Sequence, residues 1–347
     1  MNPEKDHTTR NLTADLLKGI AVLAMIQVHL MELFARQDIY DSSTGKLSLF
    51  IGSVPAAPVF MAVMGYFLVF SGPLSSFIKR GLKLIFWGFL LNIGLNFHLI
   101  YDVWSGTKQV NLLQYVFGAD ILFLAGLAVI LIGLFKLIFK NFYLPYFILA
   151  LVFSFFGQYI PVVSDHKLQY LMAFGGGNYP WSYFPLFPWL AYPLAGYAFG
   201  LAQNRIRKSL SSKYILLIII AIVLFISGFV AFGYQESSDL RKYYHHGILF
   251  FIWAMTFILC WVWINHYIAE KTGSFIITRY IGWLGKNVTA IFVIQWLIIG
   301  NIATQIWKTQ TLKELILWGP GILIVTSLLV FLKNRIKTYY SDRKELM

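Results

Sequence analysis

About ten apolar stretches, each roughly 20 residues long and parted by short polar breaks, take up almost the whole chain. A helical run of that length matches a hydrocarbon core of ~30 Å. The runs lie near 12–35, 48–71, 82–101, 112–139, 142–163, 183–203, 214–234, 247–269, 280–303 and 315–333. The expected fold is therefore all-α: a polytopic integral membrane helix bundle of about ten transmembrane helices. It forms a single domain over 1–347, with short tails at 1–11 and 334–347. Composition agrees, since 58% of the 347 residues are hydrophobic and 12% charged, against about one quarter charged in soluble domains. The first run is longer than a leader's apolar core, lacks a small-residue cleavage pattern and carries Asp15, Lys18 and His29. It reads as a retained span.

The net charge of +13 does not call for nucleic acid, because in a membrane protein basic residues first report topology. With the N-terminus inside, 18 Lys and Arg fall in cytoplasmic segments and 8 on the other face, with Lys18 and Lys286 inside spans. That bias predicts both termini in the cytoplasm. The single cysteine, Cys260, excludes a disulfide within the chain. Only the external segment 164–182 exceeds a short loop, and Gly175-Gly176-Gly177 suits an irregular lid. Tyr179, Trp181, Tyr183 and Trp189 read as an aromatic belt, and Gly196 and Gly200 as points of close helix packing.

Titratable side chains at membrane depth face a bundle interior or a wet cavity and mark sites by default. At 100° per residue, Asp15, Lys18, His29 and Glu32 share one face of the first span about 100° wide. Lys18 and His29 are three turns apart, roughly 16 Å of rise, with Lys18 toward the cytoplasm. Such a stripe can equally mark the two helix ends by snorkelling. Asp120, in the fourth run, is a second candidate, expected roughly 12 Å into the membrane on a helix entering near 112. It can also serve as a structural hydrogen-bond partner for Asn92 or Asn96.

The stretch from Arg10 to His29, RNLTADLLKGIAVLAMIQVH, resembles the opening of the membrane acyltransferases of acyltransferase family 3. In that family an Arg precedes a His by ten intervening residues; here Lys18 stands at the Arg position, keeping the charge and losing the planar fork. Later segments resemble the heparan-α-glucosaminide N-acetyltransferase-like branch of the transmembrane acyltransferases. They are Ala57-Pro58-Val59-Phe60 with Gly65, Lys79-Arg80-Gly81-Leu82-Lys83, Leu112-Leu113-Gln114-Tyr115, Phe184-Pro185-Leu186-Phe187-Pro188-Trp189, Gly285-Lys286-Asn287 and Val293-Ile294-Gln295-Trp296. Many relatives carry His at the place of Gln295.

The resemblance implies transfer of an acetyl or other acyl group from cytoplasmic acyl-CoA, with acetyl-CoA as donor, to a hydroxyl or amine of an extracytoplasmic glycan or small sugar. His29 and Asp120 are expected as the catalytic pair, with His29 as general base or as a nucleophile forming an acyl-imidazole and Asp120 orienting it or holding the acceptor. Lys18, Lys79, Arg80, Lys83 and Lys286 are expected to hold the CoA phosphates. Positive-inside topology accounts equally well for 79–83. Glu32, Gln114, Trp189 and Gln295 are expected to contact the substrate. Membrane lipids surround the protein, a homodimer is possible, and the expected location is the bacterial inner membrane. No metal is expected: the adjacent His245 and His246 point about 100° apart on a helix, and Tyr243 to His246 read as an interfacial aromatic cluster. A transporter or exporter of a sugar or lipid-linked glycan would also use a polar stripe, although the paired interrupted spans of transporters are not evident.

Overall fold

A computed structural model describes residues 11–345 apart from 166, 210 and 211. Arg10, which opens the family-like stretch, lies outside the described residues. Among them the chain is a helix bundle with no strand, only a single bridge between Ala35 and Gln310. Six helical segments are long and apolar enough to cross a membrane: Leu12–Leu33, Ser43–Leu68, Ile121–Phe139, Ile248–Thr272, Val288–Ile306 and Leu312–Tyr340. Two bent pairs bring the number to eight, Leu74–Leu95 with Phe97–Trp104 at 56° and Leu217–Gly228 with Val230–Ser237 at 57°.

The runs at 142–163 and 183–203 also contain helices, Tyr143–Phe156 and Ala191–Ser209, but neither is a full apolar span. The first has 14 residues, about 21 Å of rise against a core of ~30 Å. The second ends on Arg205, Arg207 and Lys208, which dilute its hydropathy. The tail expected from 334 onward is instead a continuation of the last helix, Leu312–Glu345. Its 34 residues rise about 51 Å, well beyond the core. That helix starts on a reciprocal cap. Thr311 N–H donates to Glu314 Oε2 at 2.6 Å, and the Thr311 hydroxyl donates to the same oxygen at 2.8 Å.

Loops gather at the two ends of the bundle as alternating passes require. At one end Arg36 N–H donates to the Gln310 carbonyl, Lys108 Nζ to the Thr304 carbonyl, Asn111 to the Tyr170 hydroxyl and Arg241 to Asn178. At the other, Thr13 meets His266, Tyr66 donates to Gln203 and Asn334 to Asn287. Helices lie closest where glycine removes the side chain. Gly65 faces the Pro193 carbonyl and Gly196 the Ala62 carbonyl, so Ala57–Leu68 and Ala191–Ser209 touch backbone to backbone. The first helix meets Ile276–Lys286 in the same way, Gly19 on the Ile281 carbonyl and Gly285 on that of Asp15.

The segment 164–182, expected to be an irregular lid, is a small packed unit. It contains the helix Leu168–Gly175 and a cluster of Ala173, Tyr179 and Trp181. Ser182 Oγ donates to the Ala173 carbonyl at 2.6 Å.

A side chain at 196 would be driven into the Ala62 carbonyl. Gly196→Val is expected to lower stability by about 1–3 kcal/mol, read as a lower Tm in detergent. Gly321→Ala, which meets nothing within 4 Å, should leave Tm at or above the wild-type value.

Candidate active site

His29 and Asp120 lie 91 residues apart in the chain and line one small cavity of about 30 Å³. That volume suits a single water or hydroxyl group. His29 stands near the end of the first helix and is 8% exposed; Asp120 is 9% exposed. The His29 ring lies on Trp296, with centroids 3.9 Å apart and planes at 43°. Its Nδ1 is 3.8 Å from Glu32 Oε2, beyond hydrogen-bond range, and has no protein partner. Asp120 Oδ1 accepts from Ile121 N–H at 2.6 Å, while Oδ2 has no protein partner. The two side chains are close enough to interact electrostatically.

Asp120 is not midway along a continuous helix, as the sequence led us to expect. The helix Leu112–Val116 stops, residues 117–120 are irregular, and Asp120 caps the new helix Ile121–Phe139. An acid suits that position, because its carboxylate answers free N–H groups at the positive end of the helix dipole. The break is held by protein. Asn92 Nδ2 donates to the Val116 and Gly118 carbonyls at 3.1 and 2.9 Å. Ala119 N–H donates to the Trp181 carbonyl, and Phe184 N–H donates to the Ala119 carbonyl. The Asn92 bonds expected for Asp120 itself thus go to the turn beside it, and Asp120 keeps one oxygen for the cavity.

Around the two polar groups the wall is largely aromatic: Phe184, Tyr243, Tyr244, Phe292 and Trp296. Tyr243 hydroxyl donates to the Ser53 carbonyl at 2.8 Å, and Ser53 Oγ donates to the Ser237 carbonyl at 3.1 Å. The interfacial reading of Tyr243 to His246 is corrected here. Tyr243 and His246 are buried, and His246 pairs with the Tyr192 hydroxyl at 3.0 Å and the Tyr243 carbonyl at 2.7 Å. Nothing local in the sequence separates such a core cluster from a belt. Ser53, Phe292 and Tyr244 were likewise not named as site residues, because long-range packing alone brings them there.

The expected substrate residues divide. Glu32, one turn from His29, is half-buried and near enough to Tyr40, Tyr183, Tyr244 and Lys308 to act on each electrostatically. Trp189 is fully buried outside the cavity; its indole N–H donates to the Tyr244 carbonyl at 2.8 Å and its ring packs edge-on against Phe184. Gln114 sits half-buried on the Leu112–Val116 turn. Gln295 is fully buried beside Trp296, with neither amide atom bonded to protein.

The expected CoA residues are at the opposite end. Lys18 Nζ is 2.9 Å from Asp15 Oδ1, and between them and His29 the same helix face carries the buried Val22 and Met25. The polar stripe is therefore two polar pairs separated by apolar packing. Lys79, Arg80 and Lys83 are exposed and, with Ser75 and Ser76, line a shallow basic depression of about 480 Å³. Lys286 is exposed beside Gly285, where that glycine meets Asp15. Among the described residues no group of three His, Cys, Asp or Glu is placed to hold a metal ion.

Comparison with known proteins places this site in context. The family model described as an acyltransferase domain matches residues 11–335. No curated protein and no solved structure matches the chain. Of the two readings a polar stripe allows, the match selects acyl transfer over transport. With apolar membrane-length helices around a buried histidine and aspartate, the chain is an integral membrane acyltransferase and belongs to acyltransferase family 3.

Proposed function

We propose that the protein moves an acyl group, acetyl in the simplest case, from cytoplasmic acyl-CoA to a hydroxyl or amine of an extracytoplasmic glycan. One observation carries the reading: His29 Nδ1 and Asp120 Oδ2, both without protein partners, belong to the same small, aromatic-walled cavity. In direct transfer, His29 takes the proton of the acceptor hydroxyl as its oxygen attacks the thioester carbonyl. The C–S bond breaks, and the CoA thiolate leaves with the proton that the imidazolium returns. Asp120 stabilises that imidazolium through its charge, at a place where water does not screen it. Tyr244, which lines the cavity, and Glu32 and Tyr183, within electrostatic reach of it, supply the carboxylate and aromatic surfaces that suit a sugar.

Lys18, Lys79, Arg80, Lys83 and Lys286 would meet the anionic end of CoA as point charges. We place both termini in the cytoplasm, with ten passes, and the protein in the bacterial inner membrane. The 18 to 8 charge bias supports that orientation.

Purified protein given radiolabelled acetyl-CoA and a panel of amino sugars and glycan fragments should release CoA and label an acceptor. His29→Ala is expected to lower turnover by about 10²-fold or more at unchanged Tm. Asp120→Asn should lower kcat and alter the pH profile, and equal CoA release by wild type and His29→Ala would remove the histidine from the chemistry. Reversal of Lys79, Arg80 and Lys83 to Glu should raise KM for acyl-CoA and spare kcat; an unchanged KM would leave these residues as topology signals. With Cys260 replaced, single cysteines at Lys108 or Lys167 should react with an impermeant thiol reagent added outside cells. Cysteines at Lys140 or Arg335 should not, and the reverse pattern would invert the orientation.

A further inference from the structure

The connection between Val288–Ile306 and the last helix carries Lys308, beside the end of the first helix that bears His29. Lys308 N–H donates to the Leu33 carbonyl at 3.0 Å, and Gln310 N–H to that of Phe34 at 2.8 Å. Between these bonds Lys308 takes the left-handed backbone, at φ 55°. Glycine or asparagine adopts it with less strain, and strain of this kind collects at functional sites.

The Lys308 side chain is half-buried, and its ammonium rests 3.7 Å from the centre of the Tyr40 ring. Among the described residues only ring faces hold that ammonium, with Trp307 at 5.9 Å, so its three N–H donors have no protein acceptor. Glu32 lies within electrostatic reach of Lys308, Tyr40, Tyr183 and Tyr244. Its half-buried carboxylate has His29 Nδ1 as an ion-pair neighbour at 3.8 Å. Tyr183 and Tyr244 meet edge to face with centroids 5.5 Å apart, and Tyr244 lines the His29 cavity. Asp41 adds a second negative charge within reach of Lys308. Carboxylates set among aromatic rings favour an organic cation, and here the chain's own lysine is that cation.

We propose that Lys308 stands in for part of the acceptor: a protonated amine or quaternary ammonium on the acceptor takes its place between Tyr40 and Glu32, while a separate hydroxyl reaches His29. The proposal rests on the acyl-transfer reading of the His29 cavity and narrows the acceptor to a cationic glycan acylated on oxygen. A lysine suits the exchange, because its flexible stem carries a strongly hydrated ammonium that can move out into water. One cation replaces another, so the net charge beside His29 is unchanged. An anionic acceptor would instead face Glu32 and Asp41, a like-charge juxtaposition.

The probe is choline glucoside, with the neutral isostere 3,3-dimethylbutyl glucoside as control. Binding to the full-length protein in octaethylene glycol monododecyl ether is read by saturation-transfer NMR on the methyl protons that both share. The cationic glucoside should bind saturably and about tenfold more tightly than the neutral one. Lys308→Met removes the internal competitor and should tighten binding about tenfold. Glu32→Gln and Tyr40→Leu should each weaken it about tenfold at unchanged Tm, and His29→Ala should bind as wild type. With radiolabelled acetyl-CoA the cationic glucoside should be the better acceptor, its label released by alkali as an ester's is. Equal binding of the two glucosides, weaker binding in Lys308→Met, or binding that Glu32→Gln leaves intact would overturn the cation site. Binding as expected without CoA release by the wild type would instead overturn the acyl-transfer reading and leave the cation site standing.

Discussion

Hydrocarbon offers a backbone amide nothing to bond to, so every interruption of a helix at membrane depth must be covered by protein. The turn at 117–120, which opens the Ile121–Phe139 span, is where this constraint and the candidate site meet. The turn before Ile121 is bonded from three sides, by Asn92, by the Trp181 carbonyl and by Phe184 N–H. Those partners make the break affordable, and the break lets a carboxylate stand at a helix start with one oxygen committed to Ile121 N–H and one turned to the cavity. The packed unit at 164–182 thus acts on the site through the main chain, without contributing a charged group to it.

Much of this was legible in the residues, for a physical reason. A titratable group in an apolar run is so costly that its presence alone signals a site, which is how His29 and Asp120 stand out before any fold is known. Span positions follow from run length. Gly196 and Gly200, spaced one turn apart, announce the close approach to Ala57–Leu68. The break before Ile121 left no comparable sign, because its stability comes from carbonyls and amides that every residue possesses. Tyr243, Tyr244 and His246 mislead by composition, since buried aromatics and interfacial aromatics use the same side chains. A helical wheel puts Lys18 and His29 on one face but does not reveal that Val22 and Met25 fill the space between them.

That filling separates the two candidate polar sites. The basic depression and the histidine cavity sit at opposite ends of the bundle, and the cavity holds little more than a hydroxyl. Between the two, the buried Val22 and Met25 close the way along that face of the first helix. A molecule that bridged the two would have to open the bundle, and its binding energy would have to supply that cost.

The pairing of chain ends has a consequence for how the protein is made. Asp15 is buried against Gly285, and His29 lies against Trp296. At roughly 5–20 residues per second, the polar residues of the first helix wait in the membrane for tens of seconds before those partners are synthesised. The Ala35 to Gln310 bridge then joins the first helix to the last. Until that closure Asp15 and His29 lack the packing that buries them, so a residue of the candidate site is among those that most need the insertion machinery to shelter them.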